Sequence, residues 1–187
     1  MKLLREILYK VEINSVVGNT SLSINKIEFD SRLISDGDMY IAITGVNVDG
    51  HSFISQAIKN GANCIVCEKI PDNKTDGVVY VNVKSSRKAL AIISSNYFDN
   101  PSSKLNLIGV TGTNGKTTIA TLLFDLYTEL EIKSGLISTV KISYDNKNFQ
   151  ANQTTPDSLS INRFLSEMVN SNVRYCFMEV SSHGIDQ

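Results

Sequence analysis

The segment Leu105-Asn106-Leu107-Ile108-Gly109-Val110 runs without a break into Thr111-Gly112-Thr113-Asn114-Gly115-Lys116-Thr117-Thr118 and then into Ile119-Ala120-Thr121-Leu122-Leu123-Phe124. It reads as a buried strand, a glycine-rich turn and a helix in immediate succession, and that order constrains the chain more than any other feature. A strand of this kind belongs to a parallel sheet, and its turn brings a helix N-terminus to the carboxyl edge of the sheet. Backbone N–H donors, the helix dipole and a flexible cation then converge, as a triphosphate requires. Gly112 and Gly115 let the main chain approach the phosphates. Lys116 would reach the β and γ phosphates, and the Thr117 hydroxyl would hold magnesium. The spacing departs from the usual G-x-x-x-x-G-K-T, because Val110 stands at the first position and the extra glycine falls at Gly112. The bland alternative is a glycine-rich turn with a surface lysine.

Further strands are expected at Ser134–Val140 and Val173–Val180, with a helix over Ser158–Asn170 between them. The second half thus reads as the opening of a doubly wound parallel sheet. About three strands are visible where such a sheet needs about five, so an incomplete domain is expected. Glu179 closes the apolar run Val173-Arg174-Tyr175-Cys176-Phe177-Met178 and would arrive at the same edge as the phosphate loop. There it could ligate magnesium directly or through water. Read blandly, it is a solvated acid at a strand end.

Upstream, from Ser21 to Tyr97, short β-like runs alternate with helical ones, the signature of an α/β layer structure. The first residues, Met1 to Ile13, interleave charges with leucines and predict an amphipathic helix. The turn-rich stretch Phe98-Asp99-Asn100-Pro101-Ser102-Ser103 marks the boundary between two domains, 1–102 and 103–187. The expected fold class is α/β: a small α/β domain followed by the first part of a phosphate-loop doubly wound parallel-sheet domain.

Charge excludes some partners. With 18 basic against 19 acidic residues and no basic block, nothing tracks a nucleic-acid backbone. No apolar run nears the roughly 20 residues that span a bilayer, and no export signal opens the chain, so the cytoplasm is expected. Cys64 and Cys67 form a CxxC without a second ligand pair, on a stretch where residues three apart point to opposite faces, which reads as core rather than metal or redox chemistry. Cys176 reads as a buried strand residue.

The string Gly109-Val110-Thr111-Gly112-Thr113-Asn114-Gly115-Lys116-Thr117-Thr118 resembles the ATP loop of the Mur ligases and their folylpolyglutamate synthetase relatives. Asp30-Ser31-Arg32, Gly37-Asp38-Met39-Tyr40-Ile41-Ala42, Gly45 and Asp49-Gly50-His51-Ser52-Phe53 look like the signature of MurE and MurF first domains, which folate-type relatives lack. Thr154-Thr155-Pro156-Asp157 and the segment from Met178 to Gln187 are similar to MurE-type segments. The resemblance covers the chain from about Ser21 to its end.

By that resemblance the first domain binds the uridine nucleotide through Phe29, Ser31, Val46, Asn47 and Val48. ATP contacts fall on Gly112, Thr113, Asn114, Gly115, Lys116, Thr117 and Thr118. Thr154 and Thr155 would meet the diphosphate and sugar region, with Ser181 and Gln187 further along, and Gln153 is a further substrate-binding candidate. Gln153 stands where some relatives carry asparagine. Lys116 and Glu179 would be catalytic, and Thr117 and Glu179, with His183 as a further candidate, would hold Mg2+. Outside the resemblance Asp30, Ser31 and Asp49 also suit turns, Phe29 and Val48 suit a core, and both histidines suit hydrogen bonding.

The implied reaction is peptidoglycan precursor synthesis: ATP-dependent addition of meso-diaminopimelate or L-lysine to UDP-N-acetylmuramoyl-L-alanyl-D-glutamate through an acyl phosphate. The complete enzyme is expected to be a monomer. The family's next arginine, its carbamylated lysine and its amino-acid-binding domain have no counterpart here, so the fragment is expected to bind substrate and to be inactive alone. A MurF-type ligase, a non-catalytic module that binds the UDP-linked precursor, and a general phosphate-loop NTPase are the alternatives.

Overall fold

The computed structural model describes residues 1–45, 48–150 and 155–181. The chain divides into two compact units, Met1–Tyr97 and Phe98–Gln187.

In the first unit, strands β1 (Lys2–Leu3), β2 (Ile13–Val17), β3 (Ser23–Ile24), β4 (Ile27–Glu28), β5 (Met39–Ile41), β6 (Cys64–Cys67) and β7 (Val79–Val83) accompany helices α1 (Leu4–Ile7), α2 (Ile54–Lys59) and α3 (Ser86–Tyr97). The main sheet has the order β2-β7-β6-β5-β4, parallel throughout except for β2. Period-two alternation sorts its side chains. Ile65 and Cys67 of β6 join Tyr40, Ala42, Tyr80 and the α2 residues Ile54 and Ala57 in one core cluster. Cys64 and Val66 are out of phase with them and equally buried. All three cysteines of the chain are buried free thiols. Burial pushes the Cys67 thiol up to about 11 and Cys176 to about 12, and raises Cys64 further.

The amphipathic helix expected over the first thirteen residues is a single turn. Lys10 adopts a left-handed φ of 61° just after α1, and the chain re-enters as the exposed edge strand β2. Tertiary pairing with β7 overrides the helical charge pattern, as local propensity is a weak prior beside an available sheet edge. The β-like run from Leu22 to Phe29 is also split, β3 pairing with β1 in a separate two-stranded ribbon and β4 joining the main sheet.

The second unit holds β8 (Asn106–Val110), α4 (Lys116–Glu129), β9 (Ser134–Ile137), β10 (Lys141–Tyr144), β11 (Lys147–Gln150), α5 (Ser158–Asn170) and β12 (Tyr175–Glu179). Its sheet has the order β11-β10-β9-β12-β8. The three expected strands β8, β12 and β9 are parallel, and β12 lies between the other two. Two further strands, β10 and β11, extend the sheet antiparallel beyond β9, so it is mixed rather than purely parallel. Asp145 and Asn146, both at positive φ, make the two-residue hairpin turn between them.

Helices cover both faces. Ala120 of α4 packs on Leu136 and Phe177, flanked by Ile108, Val110 and Tyr175. On the other face Leu165 and Met168 of α5 pack on Ile137, Ile142 and Cys176. The start of α5 is set by Asp157, whose carboxylate accepts from the Ser160 N–H at 2.8 Å.

Candidate functional site

The carboxyl ends of β8, β12 and β9 share one edge of the second sheet, and the candidate site is built there from the backbone outward. After Val110 the chain turns through Thr111–Gly115, all solvent-exposed, with Gly112 at φ 147° and Gly115 at φ 80°. Gly115 caps α4 with its left-handed backbone, so the first helical residue is Lys116 and the unpaired N–H groups of the first turn face the loop. The Lys116 ammonium folds back over the loop, donating to the Gly112 carbonyl at 2.9 Å.

Glu179 reaches the same place by strand periodicity. On β12, Tyr175 and Phe177 face α4, and Glu179 is the next residue in that phase. It is 3% exposed, and its Oε2 accepts from Thr117 Oγ1 at 2.8 Å. Two more donors meet that oxygen, Thr139 Oγ1 at 2.6 Å and the Thr139 N–H at 3.1 Å. Burial pushes the Glu179 carboxyl up. The Thr139 side-chain and backbone bonds, the Thr117 bond and the Lys116 charge outweigh it and hold the group below its ordinary value. The carboxylate is therefore ionised at neutral pH.

This donor set suits a magnesium nucleotide. The single hydroxyl proton of Thr117 goes to Glu179, which leaves its oxygen lone pairs for a hard cation. The exposed loop, the helix N-terminus and Lys116 offer donors and positive charge to phosphates. Thr118 is exposed on the first turn of α4, with Thr113 and Asn114 in the loop before it.

Thr155 and Ser181 are brought together across the sequence, their hydroxyls 3.1 Å apart and the Ser181 N–H donating to Thr155 Oγ1 at 3.2 Å. Val46, Asn47, Gln153, Thr154, His183 and Gln187 lie outside the described residues. Thr139 was not anticipated from sequence. Its only signal is its place just past the strand Ser134–Ile137, at the carboxyl edge where ligand-contacting residues gather.

In the first unit, Phe29 is partly exposed after β4, and the Ser31 carbonyl accepts from Asn60 Nδ2 at 2.8 Å. Asp30 caps the following turn, and its bonds from Arg32 hold its carboxyl below the usual range. Val48 is exposed, and its carbonyl accepts from the Gly45 N–H at 3.0 Å. His51 anchors the base of this loop: Nδ1 lies 2.7 Å from Asp49 Oδ1, and Nε2 accepts from the Glu68 N–H at 2.9 Å. That pair of contacts assigns the ring proton to Nδ1 and occupies both nitrogens. Among the described residues no group of three or more His, Cys, Asp or Glu side chains could hold a metal by itself, and no helix is long and apolar enough to cross a membrane.

Comparison with known proteins matches both units. A model of the Mur ligase family catalytic domain matches residues 23–98, and a model of the Mur ligase middle domain matches residues 110–187. The chain is 48% identical over 185 residues to the UDP-N-acetylmuramoyl-L-alanyl-D-glutamate--2,6-diaminopimelate ligase of Cytophaga hutchinsonii, a match covering 98% of the chain and 38% of that protein. A solved structure of a ligase of the same name superposes with a TM-score of 0.78 at 22% identity, covering all of this chain and 37% of that one. The MurF ligase of Thermotoga maritima in complex with ADP superposes with a TM-score of 0.56 at 24% identity, over 84% of this chain and 32% of that one. These structural likenesses carry the fold. The chain spans about 38% of the length of the curated relatives it matches.

Proposed function

Since this chain belongs to the Mur ligase family, we propose that the complete protein carrying it adds diaminopimelate to UDP-N-acetylmuramoyl-L-alanyl-D-glutamate, using ATP, in peptidoglycan precursor synthesis in the cytoplasm. The choice of amino acid rests on the names of the curated relatives, of which that from Cytophaga hutchinsonii is 48% identical, whereas the MurF ligases named among the structural neighbours are 20–24% identical. The first domain, drawn from the sequence as 1–102, would hold the uridine nucleotide around Phe29, Ser31 and Val48. The second, 103–187, would hold ATP on Gly112 through Thr118, with Thr155 and Ser181 toward the acceptor.

The observation that carries this reading is the Thr117–Glu179 hydrogen bond, which joins the phosphate loop to a buried, ionised carboxylate 62 residues away. When bound, ATP with magnesium would supply the phosphoryl group that activates the acceptor carboxylate for attack by the amine. The chain's own residues would bind and orient: Lys116 would neutralise phosphate charge, the first-turn N–H groups of α4 would cradle it, and Thr117 with Glu179 would hold the cation. The 187-residue chain by itself would bind without turning over.

Calorimetric titration of this chain with UDP-N-acetylmuramoyl-L-alanyl-D-glutamate, with UDP-N-acetylmuramate and magnesium ADP as comparison ligands, tests the reading. Saturable binding of the dipeptide form and of the nucleotide is expected. A folded chain that binds neither would overturn it. For the complete protein, a ligation assay offering diaminopimelate and lysine separately tests the choice of amino acid.

A further inference from the structure

We propose that Thr139 is a positioning residue for the cation site, fixing Oε2 of Glu179 from outside the phosphate loop so that Oε1 is the oxygen presented to the metal or its water. This rests on the reading of Thr117 and Glu179 as the magnesium-holding pair.

Three donors converge on Oε2, and two of them belong to Thr139. A carboxylate oxygen has about two lone pairs, so three donors saturate it and exclude it from metal ligation. No bond to Oε1 is made among the described residues. Glu179 has several side-chain torsions to be restrained. Thr117 alone would restrain it only through a hydroxyl that would also answer to the nucleotide, whereas Thr139 adds a hydroxyl and an N–H from outside the phosphate loop.

The loop that carries Thr139 is built to hold it there. Ser138, fully buried, donates its hydroxyl to the Lys141 carbonyl at 2.9 Å, and its backbone N–H donates to the same carbonyl at 3.0 Å. Its Oγ accepts from the N–H groups of Val140 and Lys141 at 3.3 and 3.2 Å. These four bonds close the β9–β10 connection into a tight turn, with Thr139 exposed at its tip except for the contacts to Glu179. The hairpin β10–β11 that the connection leads into is paired to β9, so the turn is tied to the sheet on both sides.

The test uses the complete protein with Thr139→Val and Thr139→Ser. The readouts are Mn2+ affinity in the presence of ADP, followed by the electron paramagnetic resonance signal of free Mn2+, and ADP affinity without metal. Thr139→Val is expected to weaken Mn2+ binding about 10-fold or more, the range seen when the partners that orient metal ligands are removed. Thr139→Ser, which keeps the hydroxyl, should restore it, and metal-free ADP affinity should be unchanged in both.

The proposal is overturned if Thr139→Val keeps wild-type Mn2+ affinity, if serine does not rescue, or if metal-free ADP binding falls in parallel, since that is the mark of a collapsed loop. Absence of metal-dependent ADP binding in the wild-type protein would instead refute the proposed function.

Discussion

Thr117 Oγ1 donates to Glu179 Oε2 across 2.8 Å, tying the first turn of α4 to the last residue of β12. Removing either partner should therefore act on metal-dependent nucleotide binding before it acts on the fold. Thr117→Val is expected to cost roughly 10-fold or more in magnesium ADP affinity, with a smaller loss for ADP alone. Glu179→Gln keeps the shape and removes the charge, and should weaken the cation more than the nucleotide. Calorimetry with and without magnesium separates the two terms, and equal losses under both conditions would count against the assignment.

His51 is a structural clamp in the first unit. His51→Ala removes the acceptor of the Glu68 N–H and one of the two donors to Asp49 Oδ1, which keeps its bond from the backbone N–H of residue 51. Both groups are exposed to water, so a small loss of stability is expected. Glutamine at this position can restore the acceptor for Glu68, and asparagine the donor for Asp49, so each should recover part of the loss. Urea unfolding of the three variants measures it. An unchanged midpoint for His51→Ala would show that the clamp contributes nothing.

Asp157 caps α5 through both the N–H and the hydroxyl of Ser160, at 2.8 and 2.7 Å. Asp157→Ala should destabilise the second unit by about 1 kcal/mol, within the usual range for a lost N-cap. Asp157→Asn should lose less. Thermal unfolding followed by far-ultraviolet circular dichroism reads the difference.

The buried thiols make stability fall at alkaline pH. Cys176 is held near 12 by burial, above the ordinary value of 9.0, so the native state keeps its proton while the unfolded chain releases it. The contribution is fully present below about pH 9 and is lost as pH rises from there through about 12. The stability difference between the wild type and Cys176→Ala should therefore shift against the wild type between pH 8 and roughly pH 10.5. Denaturant midpoints of the two proteins, measured at both values, cancel the groups they share. A pH-independent difference would mean the thiol is not protected. A thiol reagent at pH 8 should likewise leave all three cysteines unmodified until the chain is unfolded.

Much of this was legible because it is local. The succession Leu107 to Phe124 announces strand, loop and helix through hydrophobic periodicity and two glycines, and the backbone obeys it. Period-two spacing from Tyr175 through Phe177 points Glu179 at the α4 face. The hairpin β10–β11 was also within reach, since Asp145-Asn146 sits between two short alternating runs, but its strands are only four residues each and no element was expected there. The strand β2 was hidden for the opposite reason, lying against a segment whose charges and leucines mimic a helix.

The sequence by itself determined which residues could form a phosphate loop and which carboxylate could serve it, because helix, strand and turn preferences act over a few neighbours. Only the tertiary structure decided that β12 lies between β8 and β9, so that Thr117, Glu179 and Thr139 meet at one oxygen. That strand order is chosen by burial: α4 and α5 must cover opposite faces of one sheet, with Phe177 turned to the first and Cys176 to the second. Free energy of this kind is summed over side chains far apart in the chain, and no local pattern around Thr139 records it.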